Sequence, residues 1–253
     1  MTAYSKQLII FDLLGTLTNG NSPIDPGLAQ LLIKLIAIKK VAILSGSSYP
    51  QFDTLLLRVL PHGTDNFSNL FLLPTSGTRL YAWKGSWNEQ YAEHLSPQEK
   101  EKIMMGINSA LKQSPSMQAT RAYGQLIEDR GSQMTFSALG MNAPQELKSA
   151  WDPTQEKRRA FVTLLQSQLP EFDIRIGGTT SVDITKRGIN KGYGIRRLEQ
   201  YLPIPLENMV FVGATLFHGG NDYPAKATGI DCISVSGPEE TKKLIESWLS
   251  LTK

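Results

Sequence analysis

Residues 8–18 read LIIFDLLGTLT. Leu8 to Phe11 form a short, continuously apolar run that ends at Asp12, and the turn signal Gly15-Thr16 follows. An apolar run bounded in this way is typical of a strand that is covered on both faces of a parallel sheet. The sequence therefore predicts a buried strand with a carboxylate at its carboxyl end.

The sequence that follows alternates between helical and strand patterns. Residues 28–38 have the apolar spacing of a helix, and residues 41–44 form another continuously apolar run. The remaining elements with this alternation are a helix over 50–60, strand 70–73, helix 188–201, strands 209–212 and 231–235, and helix 238–250. Strands that alternate with helices predict βαβ units in an α/β fold with a parallel sheet.

Residues 83–186 interrupt this pattern. They contain the turn Gly85-Ser86, a charged helical segment near 97–112, and a run at 133–137 in which polar and apolar residues alternate. A period of two is typical of an antiparallel strand with one covered face. We therefore predict a core domain of residues 1–82 and 187–253, with an inserted α+β domain of residues 83–186.

The composition limits the classes of function. The 253 residues include 26 basic and 23 acidic side chains, and a formal charge of +3 does not indicate a surface for nucleic acid. Cys232 is the only cysteine, so it can form neither an internal disulfide nor a cysteine metal cluster. No apolar run approaches the ~20 residues of a membrane span. These observations predict a soluble cytoplasmic protein that binds neither nucleic acid nor membrane.

Four polar features lie where apolar strands end or a helix begins: Asp12, Ser45-Gly46, Lys191 and the segment 213–222. Ligands of parallel sheets bind outside the carboxyl ends of the strands. A lysine charge and glycine-rich backbone N–H groups can together bind a phosphate. Each feature alone is more common as a turn, a cap or a solvated side chain. Their order and shared placement favour a phosphate site.

Several segments resemble the motifs of the haloacid dehalogenase superfamily, whose nucleophile motif reads Asp-x-Asp-Gly-Thr. The segments are FDLLGTLT at 11–18, Leu44-Ser45-Gly46, Lys191, and FVGATLFHGGNDYPAKATG at 211–229, with IEDRGSQMTFSALG at 127–140 and GGTTSVDI at 177–184 in the insertion. The last three are similar to segments of the IIB cap subclass, near phosphomannomutases. The resemblance implies a Rossmann-like core with a parallel sheet and an inserted α+β cap domain.

The resemblance also implies roles for residues of the core. Asp12 corresponds to the nucleophile that forms an aspartyl-phosphate. Ser45, Gly46 and Lys191 correspond to the residues that bind the phosphoryl oxygens. A magnesium ion is expected between Asp12 and the acidic end of the fourth motif, which is Asp222 here. The implied reaction is therefore Mg²⁺-dependent phosphoryl transfer.

In the insertion, Arg130, Ser181 and Asp183 match positions that contact the phosphosugar in phosphomannomutases. The expected partner is therefore a small phosphorylated metabolite such as a sugar phosphate. Phosphomannomutases usually have an arginine after the SxxG segment, but here Met141 follows Ser137 to Gly140. This difference argues against a specific assignment to mannose phosphate.

Two further differences concern the chemistry itself. The second aspartate of the first motif is Leu14, and the fourth motif begins Gly213-Ala214 where the family has Gly-Asp. Leucine cannot exchange a proton, and loss of a general acid–base costs about 10²–10⁴-fold in rate. A methyl group cannot bind magnesium, which prefers oxygen ligands.

Three hypotheses follow from these observations. The first is a phosphatase-type protein that acts on or binds a phosphorylated metabolite, with aspartyl-phosphate chemistry lost or strongly impaired. The second is a regulatory module that binds such a metabolite without converting it. The third is an active phosphohydrolase or phosphomannomutase that uses a substitute acid, for which His218 in the fourth-motif loop is the candidate. The sequence indicates no oligomeric state.

Overall fold

The computed structural model describes residues 5–61 and 67–251, which form two compact units. The first unit contains the described residues up to Ala92 and those from Asn190 onward, and the second unit is Glu93–Ile189. The division predicted at residue 83 differs from this one, because residues 87–92 form a strand that pairs within the first unit. The change of sequence character near residue 83 marks a change of strand direction, and the unit boundary comes later.

The first unit contains one seven-stranded sheet. In chain order its strands are β1 (Leu8–Phe11), β2 (Lys40–Leu44), β3 (Leu70–Leu73), β4 (Arg79–Trp83), β5 (Trp87–Ala92), β10 (Met209–Gly213) and β11 (Asp231–Ser234). Their order across the sheet is β11-β10-β1-β2-β3-β4-β5. The first five in this order are parallel, whereas β4 and β5 are antiparallel to their neighbours. Strand β1 is therefore the middle one of the five parallel strands, in agreement with its continuously buried residues.

Helices cover both faces of this sheet. They are α1 (Pro26–Ile36), α2 (Tyr49–Phe52), α6 (Lys191–Tyr201), α7 (Tyr223–Lys226) and α8 (Pro238–Ser250). Ile9 and Phe11 belong to the buried cluster with residues of α1 and α8, and Leu8 and Ile10 belong to the cluster with residues of α6. The single helix predicted over 50–60 is instead the short α2 followed by a π-helical turn, Asp53–Leu57.

The second unit contains a four-stranded antiparallel sheet. Its strands are β6 (Ile127–Asp129), β7 (Gln133–Ser137), β8 (Phe172–Gly177) and β9 (Ser181–Lys186), in the order β6-β7-β9-β8, and its helices are α3 (Pro97–Gln113), α4 (Gln145–Trp151) and α5 (Glu156–Gln168). Met134 and Phe136 of β7 pack in a cluster with residues of α3 and α5. The predicted fold class, a parallel α/β core with an inserted α+β region, is confirmed.

Helices α4 and α5 were not predicted from the sequence, because their apolar residues are too sparse for a clear helical pattern. Helix α5 buries Phe161 and Leu165, and it also buries Arg158, a residue that a pattern of apolar positions cannot assign to a core. Arg158 Nε donates to Asp152 at 2.9 Å, and the guanidinium also donates to the carbonyl of Gly178 at 2.7 Å. Among the described residues, no helix is long and apolar enough to cross a membrane.

Candidate phosphate-binding site

Asp12 lies at the carboxyl end of the central strand β1. Its N–H donates to the carbonyl of Val212 at 2.9 Å, which continues the pairing of β1 with β10. The chain then turns, because the carbonyl of Leu13 accepts from the N–H groups of Leu17 and Thr18 at 3.0 Å each. Asp12 is only 5 % exposed. The backbone thus holds its carboxylate at the edge of the sheet where the sequence predicted it.

Helix α6 begins at Lys191 because the Asn190 side chain accepts from the N–H of Tyr193 at 3.1 Å, which is an N-cap bond. The first turn of α6 packs closely on the end of β2. A Cβ atom at Gly194 would lie 2.6 Å from Leu44 Cδ1 and 2.8 Å from the carbonyl oxygen of Ser76, so only glycine allows this approach. The cap and the glycine together place Lys191 at the sheet edge.

Lys191 bridges two carboxylates. Its Nζ donates to Asp12 Oδ1 and, at 2.7 Å, to Asp222 Oδ1. The same ammonium lies 5.6 Å from the centre of the Phe211 ring, within the range of a cation–π contact. Lys191 and Asp222 are completely buried. We call Asp12, Lys191 and Asp222 the lysine centre.

Asp222 also closes the loop that follows β10. Its Oδ2 accepts from the N–H of Thr215 at 2.9 Å and from Thr215 Oγ1 at 2.8 Å, and its own N–H donates back to Thr215 Oγ1 at 3.1 Å. A Cβ at Gly213 would lie 2.6 Å from Asp222 Oδ2, so glycine is required there. Thr215 was not predicted as a site residue, because a Thr-x₆-Asp spacing is not by itself a signal for such a loop.

Charges and burial shift the pKa values of the lysine centre. Burial raises the pKa of Asp12 to about 6, and the Asp222 charge adds to this effect while Lys191 opposes it. Burial also acts to raise the pKa of Asp222, but Lys191 and the bonds from Thr215 outweigh it, so that pKa is below its usual value. Burial acts to lower the pKa of Lys191, but the two carboxylates outweigh it and raise that pKa. At pH 7 the centre therefore has two negative charges and one positive charge.

Ser45 and Gly46 follow the neighbouring strand β2. Since Phe11 is paired with Ile43 in the parallel register, Asp12 and Ser45 lie along the same edge of the sheet. Ser45 Oγ donates to Ser47 Oγ at 3.1 Å and accepts from the N–H of Ser47 at 3.3 Å. The Ser45 side chain is therefore buried and bonded within a turn that also contains Gly46.

The three residues predicted for the insertion lie in the second unit. Asp183 and Ser181 are on β9, and Asp183 Oδ1 accepts from Thr135 Oγ1 at 2.8 Å. Arg130 forms an ion pair with Glu128 at 2.6 Å. Burial raises the pKa of Asp183, and the charge of Arg130 opposes that shift. The structure brings Arg130 and Asp183 together, and it adds Thr135, which the sequence analysis had only placed in an alternating strand.

Residues 28–251 match the model of one family, described as eukaryotic phosphomannomutase. The chain belongs to this family. Its relatives include a "Probable phosphomannomutase" of Caenorhabditis elegans, 27% identical with 98% of this chain and 97% of the relative covered. A phosphomannomutase of Spinacia oleracea is also 27% identical, with 96% of each chain covered. The predicted resemblance is confirmed, although the segment 11–18 lies outside the matched range.

Solved structures with much lower identity share the fold. IMP-nucleotidase of Plasmodium falciparum has a TM-score of 0.73 at 16% identity, with 99% of this chain and 70% of that chain covered. A haloacid dehalogenase-like hydrolase of Bacteroides thetaiotaomicron has a TM-score of 0.60 at 13% identity, with 96% and 99% covered. These likenesses confirm the haloacid dehalogenase fold.

This member of the phosphomannomutase family does not have the donor set of a magnesium site. Leu14 packs its side chain against the apolar cluster beside β1, and Ala214 presents a methyl group. The N–H of Ala214 donates to Thr16 Oγ1 at 3.1 Å. Within the part of the chain that the structure describes, no group of three or more His, Cys, Asp or Glu side chains could hold a metal ion. The residues present therefore do not fit the magnesium that the family resemblance implies.

His218, the candidate substitute acid, lies in the exposed loop after β10. Its ring packs edge-on against Tyr223, with 5.3 Å between the ring centres. This contact with an exposed tyrosine is what a solvated loop histidine would make. The role of His218 as an acid stays a prediction, and a variant with alanine at this position would test it through the rate.

Proposed function

We propose that this chain binds a phosphorylated small metabolite, such as a sugar phosphate, at the sheet edge that carries Asp12 and Ser45, and transfers its phosphoryl group slowly or not at all. Membership of the phosphomannomutase family supports the ligand class. The observation that carries the proposal is the side-chain set at the site. Asp12, Lys191 and Asp222 are present and in contact, whereas Leu14 and Ala214 carry no carboxylate.

Loss of the proton carrier limits transfer. A departing sugar oxygen needs a proton, and the position two residues after Asp12 holds the hydrocarbon side chain of Leu14. Loss of a general acid–base lowers a rate by about 10²–10⁴-fold.

Charge repulsion is a second obstacle to transfer. Asp12 would approach a phosphate dianion while charged, and two like charges 4 Å apart repel by roughly 4 kcal/mol at an intermediate dielectric. Lys191 offsets only part of this repulsion, since it is shared with Asp222.

Binding of a phosphate at the sheet edge depends on Lys191 and Ser45, which are both present. Lys191 supplies a positive charge in contact with Asp12, and Ser45 supplies a hydroxyl on the adjacent strand end. Hydrogen bonds between charged groups and phosphate are stronger than neutral ones. The absence of carboxylates at positions 14 and 214 removes two charges that would repel an anion. Binding of the phosphorylated ligand therefore depends less on the missing carboxylates than phosphoryl transfer does.

Calorimetric titration with a panel of hexose 1-phosphates, hexose 6-phosphates and nucleoside monophosphates tests the proposal. We expect binding of at least one class, and loss of that binding in Lys191→Met. Lys242→Met is the matched control, because Lys242 is a partly exposed lysine whose Nζ lies 3.7 Å from Asp25. A phosphate-release assay on the same panel should show turnover at least about 100-fold below that of Leu14→Asp with Ala214→Asp.

Two results would contradict the proposal in different ways. If no phosphate ester binds, the ligand class is wrong. Robust turnover that disappears in Asp12→Asn would show that the transfer chemistry is intact.

A second binding variant guards against loss of the fold. Because Lys191→Met leaves two buried carboxylates without their cation, it is expected to cost several kcal/mol of stability. Ser45→Ala is therefore a second variant, and it should weaken binding about tenfold while keeping the fold.

A further inference from the structure

The carboxylates of the lysine centre are already occupied by donors. An ionised carboxylate has about four acceptor positions. Asp222 uses three of them, for Lys191 Nζ and for the N–H and Oγ1 of Thr215. Asp12 accepts from Lys191 Nζ, from Thr16 Oγ1 at 3.4 Å and from a backbone N–H at Leu13. By this count each carboxylate keeps about one acceptor position, so a metal ion at this place would have to share both side chains with these donors.

The ammonium of Lys191 is the cation between these two carboxylates. It is fully buried and has a hydrogen bond to each of them. A divalent cation 4 Å from that ammonium would be repelled by roughly 8 kcal/mol at an intermediate dielectric. Among the side chains of the centre, only the two carboxylates could offset this repulsion. Both are already hydrogen-bonded to the ammonium.

The side chains at positions 14 and 214 offer no oxygen ligand. Ala214 is half-buried beside Gly15, where a Cβ on Gly15 would lie 3.9 Å from the Ala214 Cβ. Leu14 packs against the apolar cluster that contains Phe11. Magnesium requires near-octahedral oxygen coordination and gives up its water reluctantly, and here both carboxylates that could bind it are bonded to the Lys191 ammonium.

We propose that the lysine centre binds no divalent cation and that the Lys191 ammonium is its resident cation, so that a phosphorylated ligand binds there without magnesium. The first half of this proposal, that no divalent cation binds, does not rest on the proposed function. The second half, that a phosphorylated ligand binds without magnesium, does rest on it. With Asp12, Asp222 and Lys191 ionised, the formal charge is −1. Two added aspartates at positions 14 and 214 would make it −3 and would create demand for a divalent cation.

Titration with Mn²⁺, followed by the electron paramagnetic resonance signal of the free ion, tests the first half without any activity measurement. We expect the wild-type chain to show no saturable binding below millimolar Mn²⁺. Leu14→Asp with Ala214→Asp should bind Mn²⁺ at least about tenfold more tightly. The matched control is Leu14→Asn with Ala214→Asn, which has nearly the same shape and no added charge, and it should behave as wild type.

Several outcomes would overturn the proposal. Micromolar Mn²⁺ binding by the wild type that is lost in Asp12→Asn would show a metal site at the centre. Saturable Mn²⁺ binding of equal affinity in the wild type and the double aspartate variant would show that the centre binds a divalent cation without carboxylates at positions 14 and 214. Should the double variant fail to fold, the single variant Ala214→Asp provides the same comparison, because position 214 is half-exposed.

Calorimetry with the tightest-binding phosphate ester, in EDTA and in magnesium buffer, tests the second half. We expect the two dissociation constants to agree within about twofold. A tenfold or larger gain with magnesium would overturn the proposal. Absence of binding in both buffers would refute the proposed function and the second half, whereas the Mn²⁺ result on the first half would stand by itself.

Discussion

Asp12 shows how burial and charge act against each other on one side chain. It sits at the end of a strand with no exposed residues, so desolvation disfavours its ionised form. Lys191 favours that form, but Lys191 divides its charge between Asp12 and Asp222. The pKa of Asp12 is therefore about 6, above its ordinary value of 3.8.

This raised pKa predicts a pH dependence of folding stability. The folded chain holds the Asp12 proton more tightly than the unfolded chain, so this group stabilises the fold below about pH 4, and that contribution is lost as pH rises through 6. The loss is on the order of 3 kcal/mol. Asp12→Asn has no such titration, so its free energy of unfolding relative to wild type should rise by that amount between pH 4 and pH 7.

Urea denaturation of both chains at a series of pH values measures this difference. Comparison with the wild type at each pH removes the contribution of the many carboxylates whose pKa values are lowered by folding, such as Asp129 and Asp152. Those groups are common to both proteins. Parallel stability curves for wild type and Asp12→Asn between pH 4 and pH 7 would contradict the raised pKa.

At the scale of elements, helix α6 depends on glycine for its approach to the sheet. Gly194 faces Leu44 and the carbonyl of Ser76, and a Cβ at Gly77 would lie 2.4 Å from the Cα of Gly194. Two glycines therefore meet where the helix crosses the turn after β3. Because Lys191 is on the first turn of the same helix, the position of its ammonium follows from this close packing.

Gly194→Ala is predicted to separate α6 from the end of β2. The new methyl group would overlap Leu44 and Ser76, which costs about 2 kcal/mol of stability even though alanine favours a helix. The shift should also weaken ligand binding, because Lys191 moves with the helix. Thermal or urea denaturation together with calorimetry would measure both effects.

Gly27→Ala on α1 is the matched control for that variant. The nearest atoms to a Cβ there are the Asp25 carboxylate at 3.0 Å and the Lys242 ammonium at 3.2 Å, both at the ends of side chains that can move. Its stability should stay within about 1 kcal/mol of wild type. If Gly194→Ala were as stable as Gly27→Ala and bound ligand normally, the close packing would not position Lys191.

At the scale of the whole molecule, the chain contains separate hydrophobic cores. Two clusters lie on the faces of the seven-stranded sheet, and a third lies between the four-stranded sheet and helices α3 and α5. Each unit therefore has apolar burial of its own. Units with separate cores can open separately, with free energies that differ from one unit to the other.

Phe161→Ala and Phe52→Ala should destabilise different units. Phe161 is fully buried in the second unit, 5.3 Å from the Phe136 ring centre, and Phe52 is fully buried in the first unit. Each change removes about 3–5 kcal/mol of packing. Hydrogen exchange followed by mass spectrometry should show faster exchange within 93–189 for Phe161→Ala and within β1, β2 and β10 for Phe52→Ala. Equal acceleration in both units for either variant would show that they unfold together.

Much of the first unit could be predicted from sequence. Fully buried parallel strands have continuous apolar runs, so β1, β2, β3 and β10 were predicted within one residue of their bounds. The pair β4 and β5 was not assigned to that sheet. Strand β5 has no fully buried residue, so local pattern could not show that it extends the sheet edge.

The fold class, the family and the candidate residues at the sheet edge could be predicted from the sequence, because apolar runs and short motifs can be read from neighbouring residues. The burial of Lys191 between Asp12 and Asp222, and the loop that Thr215 closes on Asp222, are visible only in the folded structure. Asp12, Lys191 and Asp222 are far apart along the chain. Their contacts, and the pKa shifts that result, depend on how the strands and α6 pack, and no local pattern carries that information.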